Sequence, residues 1–292
     1  MGDDWLLTQT VDFYYSQNVE DLRKFYDHFM KDVSNGWEFI PKVGFSILNP
    51  GGKDIVGRPE ADFLLQTQVS RKLYLDAGTS SLVLENPVTE VSKIAFDATT
   101  GVAKFTHTFD KCTELTGYFS LKLWVEPTGN DYIDLFVKFS KKDSDGSLLE
   151  TRCVDVTYLQ DDPEAETAKA LEMHRSGNKH VDVFFAEGAT GRLRVSHREL
   201  DEEKSTPHQP AYPHAREQKL KAGEIVPVEI ELWPHGMIWE AGQKITLSVT
   251  GHNLRPEIIW MTTAWKTLNK GEIVIHTGGQ FDSHLLVPFI PD

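Results

Sequence analysis

The sequence predicts a mainly β protein, an antiparallel sandwich preceded by a short helical arm. Runs with apolar residues at every second position recur along most of the chain, most cleanly over 118–125 and 132–139. That period of two marks strands with one buried face. Turn-forming clusters such as Asn49-Pro50-Gly51-Gly52 and Asp145-Gly146 separate the runs at close intervals. Many short strands and few helices point to a sandwich. There is no internal repeat and no low-complexity segment. The expected division is a helical arm over 1–42 and a β domain over 43–292.

Residues 18–31 carry the clearest helical period. Asn18 is placed to cap the helix, and Glu20 and Asp21 suit the positive end of its dipole. Leu22, Phe25, Tyr26, Phe29 and Met30 fall at i, i+3, i+4 spacing and form one broad apolar stripe. Asn35-Gly36 ends the segment. The stripe needs a cover, either the β domain or a second chain.

Strands are expected over 43–48, 72–75, 82–84, 94–96, 104–109, 118–125, 132–139 and 148–158, with 53–68 irregular and 141–146 a hairpin turn. Pro163 to Met173 has helix-forming composition with proline in the first turn. Strand character returns over 179–186 with Val181, Val183 and Phe185, and continues in the run Gly191 to Leu200. A proline-broken loop containing His208 and His214 follows. Val228, Ile230 and Leu232 alternate with Glu229 and Glu231, and a further strand covers Lys244 to Thr250.

The chain has 292 residues, with 30 Lys and Arg against 44 Asp and Glu, a formal net charge of −14. An acidic chain without a basic run is a poor partner for nucleic acid or an anionic membrane. Cys112 and Cys153 lie in or beside apolar runs and are expected to be buried and reduced. The acidic start Met1-Gly2-Asp3-Asp4 is unlike a secretory leader. No apolar run is long enough to span a bilayer. A cytoplasmic setting and no cofactor are expected.

The chemistry-bearing residues cluster late in the chain. His197, Arg198 and Glu199, with Asp201, Glu202 and Glu203 nearby, offer acid, base and cation together, as general acid–base work requires. The competing reading is a strand end held by Arg–carboxylate pairs. His208 and His214 share one loop, and His174 and His180 another. Neither spacing matches a metal signature, so no metal is expected. Among the tryptophans, Trp239, Trp260 and Trp265 suit the last strands, with Trp260 read as core. Trp233 at a strand end is the better ligand candidate. His276 opens the glycine turn Gly278-Gly279 and is a further ligand candidate.

Several of these stretches also carry a resemblance. GRLRVSHREL from Gly191, Ser205-Thr206-Pro207, and GEIVPVEIELWP from Gly223 resemble the C-terminal non-catalytic domain of the cocaine esterase and X-prolyl dipeptidyl peptidase serine hydrolases (the CocE/NonD family). The likeness continues through Leu115-Thr116-Gly117, Leu123-Trp124, Asp134-Leu135-Phe136, Val274 to Gly279, and Ser283 to Pro291. Residues 12–45, with Asp12 to Tyr15, Glu20 to Phe29 and Asn35 to Glu38, resemble the segment joining the hydrolase domain to that β domain. The resemblance implies a jelly-roll β-sandwich. It does not imply hydrolysis. Gly44-Phe45-Ser46 and Gly78-Thr79-Ser80 both lack the trailing glycine of a G-x-S-x-G elbow. The approach to Asp12, Asp4 to Gln9, lacks the triad histidine of relatives.

Three functions are therefore expected to compete. The first is a hydrolase-derived β domain that binds a small apolar molecule or associates with itself through Leu22, Phe25, Tyr26 and Phe29, as a homodimer. The second is a stand-alone isomerase or cyclase reusing a pocket near His197, Trp233 and His276. The third is a carbohydrate-binding module of galactose-binding type.

Overall fold

The computed structural model describes residues 6–7, 16–63, 65–129, 131–154, 169, 172–173, 176, 183–186, 188–254 and 267–291. In chain order the elements are β1 (Leu6–Leu7), α1 (Ser16–Lys31), β2 (Val43–Ile47), β3 (Ile55–Glu60), β4 (Val69–Asp76), β5 (Ser81–Leu84), β6 (Ser92–Asp97), β7 (Val102–Thr108) and β8 (Thr113–Pro127). They continue with β9 (Asp134–Lys142), β10 (Leu148–Leu149), β11 (Thr151–Val154), β12 (Val183–Ala186), β13 (Thr190–Arg194), β14 (Val226–Trp239), β15 (Lys244–Thr250), β16 (Glu272–Thr277) and β17 (His284–Ile290). The chain divides into two compact units, one of residues 1–63 and 149–187, the other of 64–148 and 188–292. No helix among the described residues is long and apolar enough to cross a membrane.

In the first unit, α1 begins two residues before the expected cap, so Asn18 lies inside it and the first turn holds no acidic residue. The acidic side chains work further along instead. Arg23 donates to Glu20 at 2.8 Å and to Asp27 at 2.6 Å, and Lys31 donates to Asp27 at 2.7 Å, pairs at the three- and four-residue spacing a helix brings together. Asn35 closes the helix by donating to the Lys24 carbonyl at 2.8 Å. Residues 53–68, expected to be irregular, contain β3. It pairs antiparallel with β2, placing Gly44 opposite Pro59 and Ile47 opposite Ile55. Gly57 and Pro59 interrupt its alternation, which is why the sequence pattern hid it. β1 runs parallel to β11, and β12 antiparallel to β11. The expected helix over 163–173, the strand end at 155–158 and Val181 lie outside the described residues, apart from helical backbone at residues 169, 172 and 173.

The second unit is built on β8 and β14. They pair from Thr113 opposite Trp239 to Val125 opposite Val226. The other edge of β8 is shared, by β17 along its first part and by β16 at its end. Among the described residues, nine strands close into a ring in the order β14-β13-β9-β15-β7-β5-β4-β17-β8, with β16 and β6 continuing outside it. The expected antiparallel β domain is present, and its pairing is that of a closed barrel. Two seams of the ring are narrow. β13 meets β14 at Gly191 and Leu232, and β5 meets β7 in parallel at Ser81 and Thr106.

The register shifts on both edges of β8 at one level. β14 carries the extra residue between Leu232 and His235, whereas against β17 the extra residues lie on β8 itself, between Leu115 and Ser120. Both irregularities lie beside Gly117, whose φ of 141° only glycine adopts readily. Paired irregularities at one level bend a sheet sharply.

The interior is rich in aromatic side chains. Phe105, Phe119, Phe139 and Trp239 are fully buried. The rings of Phe119 on β8 and Phe139 on β9 lie 4.8 Å apart although their strands are not neighbours, so they meet across the barrel. Two expectations change here. Cys112, expected to be buried, is exposed just before β8. The strand expected to run from Gly191 to Leu200 stops at Arg194, where a single 3-10 turn, Val195–His197, begins. The Ser196 carbonyl is turned to accept from the backbone N–H of Gln218 at 2.7 Å, which removes it from the ladder. The side chain of Cys153 lies outside the described residues.

Two outcomes follow from this packing. A Cβ at Gly191 would lie 2.2 Å from the Glu231 carbonyl oxygen, backbone against backbone. Gly191→Ala is expected to cost about 1–3 kcal/mol and to raise amide exchange at Gly191 and Leu232 before the rest of the barrel, read by hydrogen-exchange mass spectrometry. His235 sits at the β14 bulge, 5.6 Å from the Phe139 ring, with its Nε2 enclosed and without a partner among the described residues. Burial pushes its pKa down to about 4, and burial lowers His107 and His284 as well. The unfolded chain takes up a proton at His235 near pH 6.5 that the folded chain refuses until about pH 4. Stability is therefore full above the unfolded value and falls as pH drops through that window, by up to about 3 kcal/mol. Urea titrations at pH 7 and 4.5 check this, and His235→Phe should flatten the difference.

Candidate functional site

A cavity of about 480 Å³ opens at the end of the β9–β13 ladder. Register builds its base. Arg194 stands opposite Asp134, and Arg192 opposite Phe136, so all four share one face of the pair. Arg194 grips Asp134 with two hydrogen bonds, Nε to Oδ1 at 2.7 Å and Nη2 to Oδ2 at 3.0 Å. The bidentate form is the strong one. Asp134 is further fixed through its backbone: its N–H donates to Asn269 Oδ1 at 2.8 Å, and Asn269 Nδ2 returns a bond to its carbonyl at 2.8 Å.

The rim comes from the segment after β13. The 3-10 turn at Val195–His197 lifts His197 to the mouth, and the returning loop brings Tyr212 and His214 beside it. The ring centroids of His197 and His214 are 5.4 Å apart, and those of Tyr212 and His214 5.9 Å. Tyr212 donates its hydroxyl to the Glu229 carbonyl. Burial, with the Glu229 and Glu231 carboxylates, holds that hydroxyl firmly protonated. Tyr212 therefore presents a fixed ring face. His214 has φ +49°, a conformation few non-glycine residues adopt. His197 Nδ1 is enclosed and has no hydrogen-bond partner among the described residues.

Of the residues singled out from sequence, only His197 and His214 meet at this cavity. Arg198 points elsewhere, donating through Nη1 to the carbonyls of Val195 at 3.2 Å and Gln218 at 2.7 Å. Burial works against its charge, with Glu224 partly offsetting that. Glu199 is held by Arg216 at 2.7 Å, which lowers its pKa. These three neighbours in sequence thus do three separate things. His208 lies in a small loop closed by Ser205 and Ala211, away from the cavity lining. His276 is buried and paired with Glu126 at 2.7 Å, and its glycine turn is a tight one, bridged between Gly278 and Phe281.

Trp233 is 73% exposed at the β14 bulge, Trp239 is core, and Trp124 donates to Asp282 at 2.9 Å. No row of exposed tryptophans forms among the described residues. Trp260, Trp265, His174 and His180 lie outside them. Among the described residues no group of three or more His, Cys, Asp or Glu is arranged to hold a metal ion. Sequence reasoning missed Asp134, Arg192 and Arg194 as site residues, because their meeting depends on cross-strand register.

The fold is thus that of a β domain whose second unit closes into a nine-strand barrel with a cavity walled by an Arg–Asp pair and histidine rings. A family model for the X-Pro dipeptidyl-peptidase C-terminal non-catalytic domain matches residues 35–286, and the chain belongs to that family. The structure of a CocE/NonD family hydrolase from Staphylococcus aureus matches with a TM-score of 0.79 and 31% identity, covering 96% of this chain and 47% of that one. An aminopeptidase from a marine sediment archaeon, Thaumarchaeota archaeon, matches at 0.60 and 13% identity, covering 95% and 44%. An α-amino acid ester hydrolase matches at 0.53 and 11%, covering 92% and 44%. The last two likenesses concern the fold alone. The chain spans somewhat under half the length of each of these structures. No protein of curated function matches it.

The separate roles of Arg198 and Glu199 can be told apart. Arg198→Ala leaves two carbonyls without their charged donor and is expected to cost about 1.5–3 kcal/mol. Glu199→Ala removes an exposed ion pair and should leave the unfolding midpoint nearly unchanged. Thermal or urea unfolding of the two variants measures the difference.

Proposed function

We propose that this chain is a non-catalytic accessory domain that works by joining a second polypeptide through the apolar face of α1. One observation carries the reading. Leu22 is 48% exposed, Phe25 39%, Tyr26 48%, Phe29 63% and Met30 75%, all on one helix. A contiguous apolar patch of this kind is rare on a solitary soluble chain and common at an interface. The Phe25 ring lies 4.9 Å from that of Phe29 and meets Trp37 edge-on at 5.4 Å, so the stripe is one continuous aromatic surface.

The family assignment supports the same reading. The partner proposed is a hydrolase-type domain, of the kind named in the Staphylococcus aureus relative, of which this chain covers 47%. Where no such domain is present, a second copy is the available cover. The jelly-roll layering belongs to this proposal too. The narrow seams at Gly191–Leu232 and Ser81–Thr106 separate β13-β9-β15-β7 from β5-β4-β17-β8-β14, as two layers of a sandwich would be.

Light scattering of the purified chain at micromolar concentration is expected to give a homodimer. Phe29→Ala should weaken it by at least about 1 kcal/mol, several-fold in Kd. Phe25→Asp with Phe29→Asp should give a monomer with unchanged circular dichroism. A wild-type chain that stays monomeric and binds no hydrophobic dye at α1 would remove the basis of the reading.

A further inference from the structure

The cavity at the end of β9 and β13 is independent of α1 and suggests a second role. Its volume of about 480 Å³ suits a molecule of one or two rings. Its charged and ring-nitrogen groups are Asp134, Arg192, Arg194, His197 and His214. The one carboxylate in the lining, Asp134, is occupied on both oxygens by Arg194. Arg194 has used Nε and Nη2, and its Nη1 has no partner among the described residues. His197 Nδ1 is likewise enclosed without one. An enclosed polar nitrogen without a partner is costly, and a native fold keeps one where a ligand or water completes it. His214 is held at φ +49° with its ring against His197. Local strain of this kind gathers at binding sites. Leu135, Phe136, Leu193 and the fixed ring of Tyr212 add apolar surface to the lining.

We propose that this cavity binds a small organic carboxylate with a flat apolar body. The carboxylate would lie between the Arg194 guanidinium and His197, two donors suited to two oxygens, and the body would lie against Phe136, Tyr212 and the His214 ring. The Arg194–Asp134 pair serves as a positioning device, since a guanidinium already locked on one edge keeps its remaining nitrogen aimed outward. An apolar ligand alone would leave the donors unmet. A bare inorganic anion would leave the aromatic walls wet.

The test is isothermal titration of the purified chain with 2-naphthoate, 2-naphthol and phenyl phosphate. 2-Naphthoate is expected to bind at least tenfold more tightly than the neutral 2-naphthol, and more tightly than phenyl phosphate. His197→Leu should weaken 2-naphthoate at least tenfold. His214→Gly, which relieves the backbone strain and so keeps the fold, should weaken it several-fold. Thermal melts identify any variant that fails to fold, and His214→Gly then decides alone. No heat with 2-naphthoate at millimolar concentration overturns the proposal. So does equal affinity for 2-naphthol, tighter binding of phenyl phosphate, or unchanged affinity in the folded variants.

Discussion

The ladder between β8 and β14 is the constraint on which the barrel depends. It joins segments about a hundred residues apart, and closing such a loop costs entropy before any contact repays it. The repayment comes from length and alternation. Phe119, Leu121, Leu123 and Val125 point inward from β8 and meet Val228, Ile230 and Leu232 from β14, all buried. With β17 and β16 sharing its other edge, β8 is hydrogen-bonded on both sides. Once that strand is placed, the register shifts on both its edges beside Gly117 give the sheet a place to bend. The β9–β15–β7 face is then brought over to bury Phe139 against Phe119.

The parts of this fold that were legible in the sequence are those governed by local periodicity. The alternation in 118–125 and 132–139 found β8 and β9, and the stripe from Leu22 to Met30 found α1 with an error of two residues at its start. β3 was not legible, because Gly57 and Pro59 break its alternation and only its partner β2 holds it extended. The 3-10 turn at Val195 was not legible either. Its apolar residue continues the strand pattern, and a long-range bond from Gln218 is what diverts it. The candidate site divides in the same way. His197 and His214 could be picked out as residues, but their ring contact, and the pairing of Arg194 with Asp134, depend on register and loop return that no spacing encodes. His197, Arg198 and Glu199 looked like one constellation because they are adjacent in sequence. A turn rotates successive side chains apart, and adjacency there is poor evidence of a shared site.

The two functional surfaces use different physics. The α1 face is apolar, broad and exposed, and would gain from being covered by another protein surface. The β9–β13 cavity is small and rich in donors, and would gain from a ligand that satisfies particular nitrogens. They also lie on different units of the chain.

Ring closure also governs how the domain behaves in company. A flat sheet of this many strands would present two long rows of backbone donors and acceptors to any passing chain. Here the path ends outside the ring at β6, a strand of six residues whose exposed positions include Lys93 and Asp97. Charges along a short edge discourage intermolecular strand addition. The barrel therefore has little capacity to recruit neighbours through its backbone, and its choice of company is left to side chains.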